Sequence, residues 1–294
     1  PTGDYAIKFE KEAEEGKYQY MVTDYPGTIG LRFNFINGGT SGLMSNVKIR
    51  KAISYSIDRE EMIDAVYGRY NPAYSYVAPA ITFNGSSYRS QVGEVIEDEY
   101  NEYVGDPDKI VALFQEGLDE LGVETPIEDI TLTYLTSGST TEVQAEREYI
   151  QQSLEETLGL TVELSVAGDN SLFIADRNEG NYDFFLGGWY SDYNDPLDFL
   201  YTNYTDAYGM SFGGYSNTDY DALADQLVGE TDMDKRLDIY KQMEQILLLD
   251  DCAFAPIYYA TKQVLLQNWV KDYRTSSFGA SAEFIWTYID GKNQ

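Results

Sequence analysis

In the stretch "GGWYSDYNDP", Gly187 to Pro196, two aspartates stand among aromatic rings directly after the apolar run Phe184-Phe185-Leu186. A carboxylate at the end of a buried strand reaches solvent, pairs inside the protein, or takes a cation or hydrogen-bond donor from outside, because an unpartnered buried charge is expensive. Asp192 poses that choice, with Trp189 and Tyr190 just before it as the rings that would line such a site. In an open α/β sheet, ligands are met just beyond the carboxyl ends of strands, where these three residues fall. The plainer reading is an ordinary solvated loop aspartate.

Composition removes several other chemistries. The chain contains no histidine, which excludes histidine-based acid/base catalysis, the Ser-His-Asp and Cys-His pairings, and any imidazole ligand for zinc or haem. Cys252 is the only cysteine and sits in the apolar run "LLLDDCAFAPIYY", the setting of a small buried side chain rather than a reactive thiolate. "NTDYDA" offers oxygens at Asn217, Asp219 and Asp221, but Ala222 and Val228 stand where a calcium loop needs glycine and glutamate. No metal site and no cofactor are expected. Carboxylate pairs could run glycoside hydrolysis, although no feature of the sequence specifically supports it. Asn84 and Asn203 each open a three-residue glycosylation pattern too short to carry weight.

Twenty basic residues face fifty acidic ones, a formal net charge of -30, in a chain of 294 residues. Such a field repels phosphate backbones and anionic lipid, so nucleic acid and a membrane surface are poor partners. The plainer role of the excess is solubility. A 43% hydrophobic composition is that of a folding chain with a real core.

The elements that must position the Asp192 loop alternate between helix and strand. "YAIKFEKEAEEG" predicts a helix closed by Gly16, followed by strands at "YQYMVT" and "LRFNFING". Asn46 caps a helix with Ile49, Ala52 and Ile53 on one stripe, and Asp58 opens another with Glu61 as its capping-box partner. Tyr70 to Ser90 reads as an ordered loop. "DPDKIVALFQEGLDELG" is a helix from Asp106 to Gly122, and a strand-helix-strand unit runs from "ITLTYL" to "LTVELSV". A short helix around Ser171 to Asn178 leads into "YDFFLGGW", and Asp195-Pro196 starts a helix. Two more helices, "TDYDALADQLV" and "DMDKRLDIYKQMEQILLL", precede strands at "APIYYA", "QVLLQ" and "EFIWTYI". This order predicts an α/β fold with a mixed or largely parallel sheet flanked by helices.

Four blocks in order, "NVKIRKAISYSIDREEMIDAVYGRYNPAYSYVAP", "YDFFLGGWYSDYNDPLDFL", "YDALADQL" with "DMDKRLDIYKQMEQILLLDDCAFAPIYY", and "VLLQNWVKDY", resemble the extracytoplasmic solute-binding proteins of peptide ABC importers, the oligopeptide-binding family. The resemblance implies a lobe of the type II periplasmic-binding-protein-like fold. It also implies that the chain is the carboxyl-terminal part of a longer, two-lobed protein. Residues 1–24 would be the tail of the first lobe and a crossing strand, 25–261 the second lobe, and 262–294 a return segment belonging to the first lobe.

In peptide binders of this family the aspartate of the W-x-x-D-Y loop takes the ligand's α-ammonium group. Asp192 matches that position, with Trp189 and Tyr190 lining the pocket. Arg177 matches an arginine that meets the peptide carboxylate in some members, and a surface ion pair with Asp176, Glu179 or Asp183 is its structural alternative. The implied protein is a monomeric, non-enzymatic receptor outside the cytoplasm, a cell-surface lipoprotein or periplasmic, that delivers short peptides to a membrane permease. The family's other charged contacts lack clear counterparts here, so the ligand could instead be an oligosaccharide or a metal complex. A carboxylate-based hydrolase and a signalling or adhesion lobe without transport are the alternatives of other classes.

Overall fold

A computed structural model describes residues 3–205, 212–278 and 282–292. Its strands are, in chain order, β1 (Gln19–Phe33), β2 (Asn71–Pro72), β3 (Thr82–Phe83), β4 (Ser86–Ser87), β5 (Thr131–Ser137), β6 (Thr161–Ala167), β7 (Phe184–Tyr190), β8 (Phe254–Leu266), β9 (Val270–Lys271) and β10 (Tyr288–Ile289). Among the described residues the main sheet has the order β2-β8-β1-β7-β5-β6. β1 runs antiparallel to β7 and β8, while β5 runs parallel to β6 and β7, so the sheet is mixed and helices flank it, as the alternation of elements predicts.

The helix starts follow from local chemistry. Asn46 accepts hydrogen bonds from the amides of Lys48 and Ile49, Asp58 from Glu61, Asp106 from Lys109, and Thr140 from Val143, each meeting a donor that the first turn leaves unpaired. The capping box at Asp58 is only half formed, because the Glu61 carboxylate turns away to accept from the Tyr149 hydroxyl at 3.2 Å. Helix 233–245 begins at the Asp232 cap and buries Tyr240 and Met243.

Three expectations are corrected. "YQYMVT" and the first three residues of "LRFNFING", Leu31 to Phe33, fall to one strand, β1, with a turn at Ile36–Gly38 after it, and "APIYYA" and "QVLLQ" fall to one strand, β8. The two pair along most of their lengths, with register shifts between Asp24 and Thr28 and between Ile29 and Gly30 that absorb the Tyr25-Pro26-Gly27 break. "EFIWTYI" is not a full strand: Glu283 makes an isolated antiparallel bridge with Arg274, Tyr288 and Ile289 pair with β9, and Phe284, Ile285 and Trp286 between them are exposed. Its β-branched and aromatic residues favour extended chain but find no neighbouring strand to complete a ladder.

The register divides β1 in two. Gly27–Phe33 lies between β7 and β8 and is buried, whereas Gln19–Asp24 pairs with β8 alone and is more open. A two-stranded ribbon therefore leaves the edge of a packed sheet. Gly30 and Gly188 allow the close approach: a Cβ would lie 2.2 Å from the Ala255 carbonyl oxygen at the first and 1.9 Å from that of Thr28 at the second.

The segment from Tyr70 to Ser90 carries only short pieces of regular structure, yet Tyr76, Val77 and Tyr88 are fully buried. Glu244, 0% exposed, organises it. One carboxylate oxygen accepts from the amides of Tyr76 and Val77 at 3.2 and 3.0 Å, and the other accepts from the Tyr88 hydroxyl at 3.1 Å and pairs with Arg89. Asn203 is also buried and accepts from Arg32 at 2.7 Å, which removes it as a glycosylation acceptor in the folded chain.

Candidate functional site

β7 emerges from the core with Phe184 and Phe185 buried, Trp189 half-buried and Tyr190 48% exposed. Tyr190 pairs with Gly27 across the sheet, and its ring occupies the place of the missing side chain, since a Cβ at Gly27 would stand 2.3 Å from it. The following loop is fastened at several points. The Ser191 amide donates to the Pro26 carbonyl at 2.7 Å. Asn194 and Thr82 exchange two hydrogen bonds of 2.6 and 2.8 Å, tying the loop to β3. Asp195 caps helix Pro196–Leu200 and accepts from the Tyr240 hydroxyl at 2.8 Å.

Asp198, buried in the first turn of that helix, sets the position of the candidate residues themselves. One of its oxygens accepts from Trp189 Nε1 at 2.8 Å and from the Asp192 amide at 2.9 Å. The Asp192 backbone is thus held while its side chain is exposed, and its carboxylate accepts no hydrogen bond from the described residues. A carboxylate on an anchored backbone and open to solvent is available to a cationic or hydrogen-bond-donating ligand. Replacing Asp198 by alanine leaves both donors unmatched. It is expected to lower stability by about 1–3 kcal/mol in urea unfolding and to alter Trp189 emission, with Asp198→Asn, which keeps an acceptor, milder in both.

Beside the loop lies a cleft of about 560 Å³ lined by Tyr25, Tyr70, Tyr190, Ala260, Thr261, Lys262 and Gln263. Its wall sits where the β1/β8 ribbon leaves the sheet. Tyr25 and Tyr190 rings are 5.8 Å apart, and Tyr70 stacks on Tyr258 at 4.5 Å. Behind them Glu146 accepts from the Tyr67 hydroxyl, and Arg69 pairs with Glu142 at 2.5 Å.

Burial, reinforced by Glu142 and opposed by the Tyr67 hydrogen bond, pushes the Glu146 carboxyl up from its ordinary 4.5 to about 7. A raised acid pKa stabilises the fold fully below about pH 4.5, and that stabilisation, at most roughly 3 kcal/mol, is lost as pH rises through about 7. Glu146→Gln cannot ionise. The unfolding free energy of the wild type relative to this variant is therefore expected to fall by up to that amount between acid and mildly alkaline buffer; a pH-independent difference would contradict the burial of this acid.

Of the residues singled out in the sequence, Trp189 and Tyr190 end β7 and Asp192 lies on the fastened loop that follows; Tyr190 lines the cleft, whereas Trp189 and Asp192 are not among its lining residues. Arg177 stands apart, in the last turn of helix Asn170–Glu179, which packs on β5 and β6. Its charge acts on Tyr182, whose hydroxyl burial raises to about 12 against the opposing pull of Arg177. Asp183, one of its suggested surface partners, is buried and accepts from the Ser41 amide and hydroxyl and from the Thr133 amide. Cys252 is buried, and burial pushes its thiol up to about 11, away from reactivity at neutral pH. Asn217 spends its side-chain oxygen on the amides of Asp219 and Tyr220 as a helix cap. Asp198, Tyr25, Tyr70 and Gln263 are additions from the fold; in the sequence they are separated from the loop or, for Asp198, indistinguishable from a helix-start acid.

Known proteins resemble this chain. The description "Bacterial extracellular solute-binding proteins, family 5 Middle" matches residues 3–211. The dipeptide-binding protein DppE of Bacillus subtilis is 30% identical over 249 residues, covering 84% of this chain and 42% of that protein. Listeria monocytogenes OppA, solved bound to peptide, superposes with a TM-score of 0.76 at 29% identity, covering 98% of this chain and 52% of that one. The substrate-binding domain of an oligopeptide ABC transporter from Bacillus anthracis superposes with a TM-score of 0.80 at 24% identity over 98% of this chain and 54% of that one. The fold is that of type II periplasmic-binding-protein-like proteins, and the chain spans about half or less of the length of these relatives.

Proposed function

Because the chain belongs to the bacterial extracellular solute-binding proteins of family 5, we propose that it forms most of the second lobe of a receptor that binds short peptides and passes them to an ABC importer. The observation that carries this reading is the exposed Asp192 carboxylate, two residues after the cleft-lining Tyr190 on a loop whose backbone Asp198 holds in place. An accessible carboxylate on an anchored loop selects a ligand's free ammonium group by a charge-assisted hydrogen bond and ignores side-chain identity. Trp189 and Tyr190 supply the adjoining rings. Arg177 is the candidate partner of the ligand carboxylate, reached in the closed form of the complete protein.

The lobe boundaries follow the break in the ribbon. Register between β1 and β8 shifts between the pairs Asp24↔Thr261 and Thr28↔Tyr259, which supports residues 1–24 and 262–294 as parts of a first lobe and 25–261 as the second. Closure of two lobes about those strands would bury the peptide and present a face to the permease. The receptor acts as a monomer outside the cytoplasm, periplasmic or anchored as a lipoprotein, and catalyses no reaction. A net charge of -30 disfavours nucleic acid as a partner. Titration calorimetry of the full-length protein with pooled synthetic tri- to pentapeptides is expected to give a saturable heat. Saturation only by an oligosaccharide or a metal complex would keep the receptor and replace its ligand class.

A further inference from the structure

Asn194 follows Asp192 by two residues, and its side chain meets Thr82 of the β3–β4 hairpin, a segment far away in the sequence. Asn194 Nδ2 donates to Thr82 Oγ1 at 2.6 Å, and the Thr82 amide donates to Asn194 Oδ1 at 2.8 Å. Each residue is both donor and acceptor to the other, so a slip of the loop breaks both bonds together. Before Asp192 the loop is tied by the Ser191 amide to the Pro26 carbonyl, and after it by Asn194 to the hairpin. Asp192 is slung between these anchors while Asp198 holds its amide.

The hairpin is itself a firm support. The Tyr88 amide donates to the Ile81 carbonyl at 2.9 Å, and the Gln91 side chain donates to the Phe83 carbonyl at 2.9 Å. Phe83 is buried with its ring edge-on to Tyr240 at 5.5 Å, the same Tyr240 whose hydroxyl donates to Asp195 of the loop. Hairpin and loop thus rest on one residue of helix 233–245. A cavity of about 430 Å³ is lined by Thr82 and Phe83 from the hairpin and Asn194 and Asp195 from the loop, together with Met233 and Arg236. Where side chains leave a cavity, close packing does not set the spacing of the two elements, and the paired hydrogen bonds do.

We propose that Thr82 and Asn194 are positioning residues for ligand recognition, holding the Asp192 backbone where its carboxylate meets the ammonium group of the ligand. A loop held before the ligand arrives loses less conformational freedom on binding. This rests on the peptide-receptor reading and brings the hairpin, otherwise outside the site, into it.

The test uses the full-length protein, an equimolar pool of synthetic tripeptides, and the tripeptide that the wild type retains best, with and without an acetylated amino terminus. Thr82→Val, which removes the hydroxyl at constant shape, and Asn194→Ala, which removes the whole clasp, are expected to bind the free tripeptide about 3- to 10-fold more weakly. The acetylated form should change by less than about twofold, and Thr82→Ser, which keeps the hydroxyl, should bind as the wild type does. Combining Thr82→Val with Asn194→Ala should add nothing to Asn194→Ala alone, because the clasp is already gone. Both side chains are exposed, so urea unfolding of the variants should follow the wild type, separating loop position from stability. Free-tripeptide affinity within about twofold of wild type in both variants, an equal loss for free and acetylated forms, or a loss that Thr82→Ser shares would overturn the positioning role and leave the receptor intact. A wild type that retains no tripeptide would overturn the peptide reading itself, and this inference with it.

Discussion

Asp192→Asn is expected to weaken binding of short peptides with a free amino terminus by roughly 100- to 1000-fold, about 3–4 kcal/mol, the scale of losing one member of a desolvated charge pair. The substitution keeps the backbone amide that donates to Asp198, so the loop retains its anchor and the loss reports the charge. Peptides acetylated at the amino terminus carry no ammonium, and their already weak binding should change by no more than about threefold. Calorimetry with a matched free and acetylated pair separates the outcomes. An equal loss for both would mean that Asp192 shapes the loop rather than reading the ligand.

The second large effect falls on stability. Glu244→Ala is expected to destabilise the fold by about 3–5 kcal/mol, because it leaves the Arg89 charge buried and strips the amides of Tyr76 and Val77 and the Tyr88 hydroxyl of their shared acceptor. Glu244→Ala with Arg89→Ala should cost less than the sum of the two single changes, since no buried charge is then left alone. Urea unfolding of the four proteins gives the cycle. Additive losses would show that the pair contributes little and that the segment from Tyr70 to Ser90 is held by its apolar side chains alone.

Whatever was decided within a few residues was legible in the sequence. The caps at Asn46, Asp58, Asp106 and Asp195 are local hydrogen bonds, and each marks its helix as predicted. The long strands were not legible as single elements. Pro26-Gly27 has the composition of a turn, and only pairing with a strand more than two hundred residues away carries β1 through it by way of a bulge. The reverse holds for "EFIWTYI", whose strand-like residues pair only at Glu283, Tyr288 and Ile289 among the described residues.

The site divides in the same way. Trp189, Tyr190 and Asp192 are contiguous with an apolar run and can be picked out from it. Gln263, Tyr25 and Tyr70 join them only because β8 and β1 meet beside the end of β7. Glu244 resembles any polar position on an amphipathic helix until the Tyr76 loop folds over it, which is why that loop could be read as ordered but not why.

Gentle purification of the full-length protein, followed by denaturation and mass spectrometry of the small molecules it releases, bears most directly on the peptide-receptor assignment. A mixture of short peptides with free amino termini is the predicted release. A sugar, a metal complex or one defined metabolite would contradict it and leave the Asp192 carboxylate without the partner assigned to it.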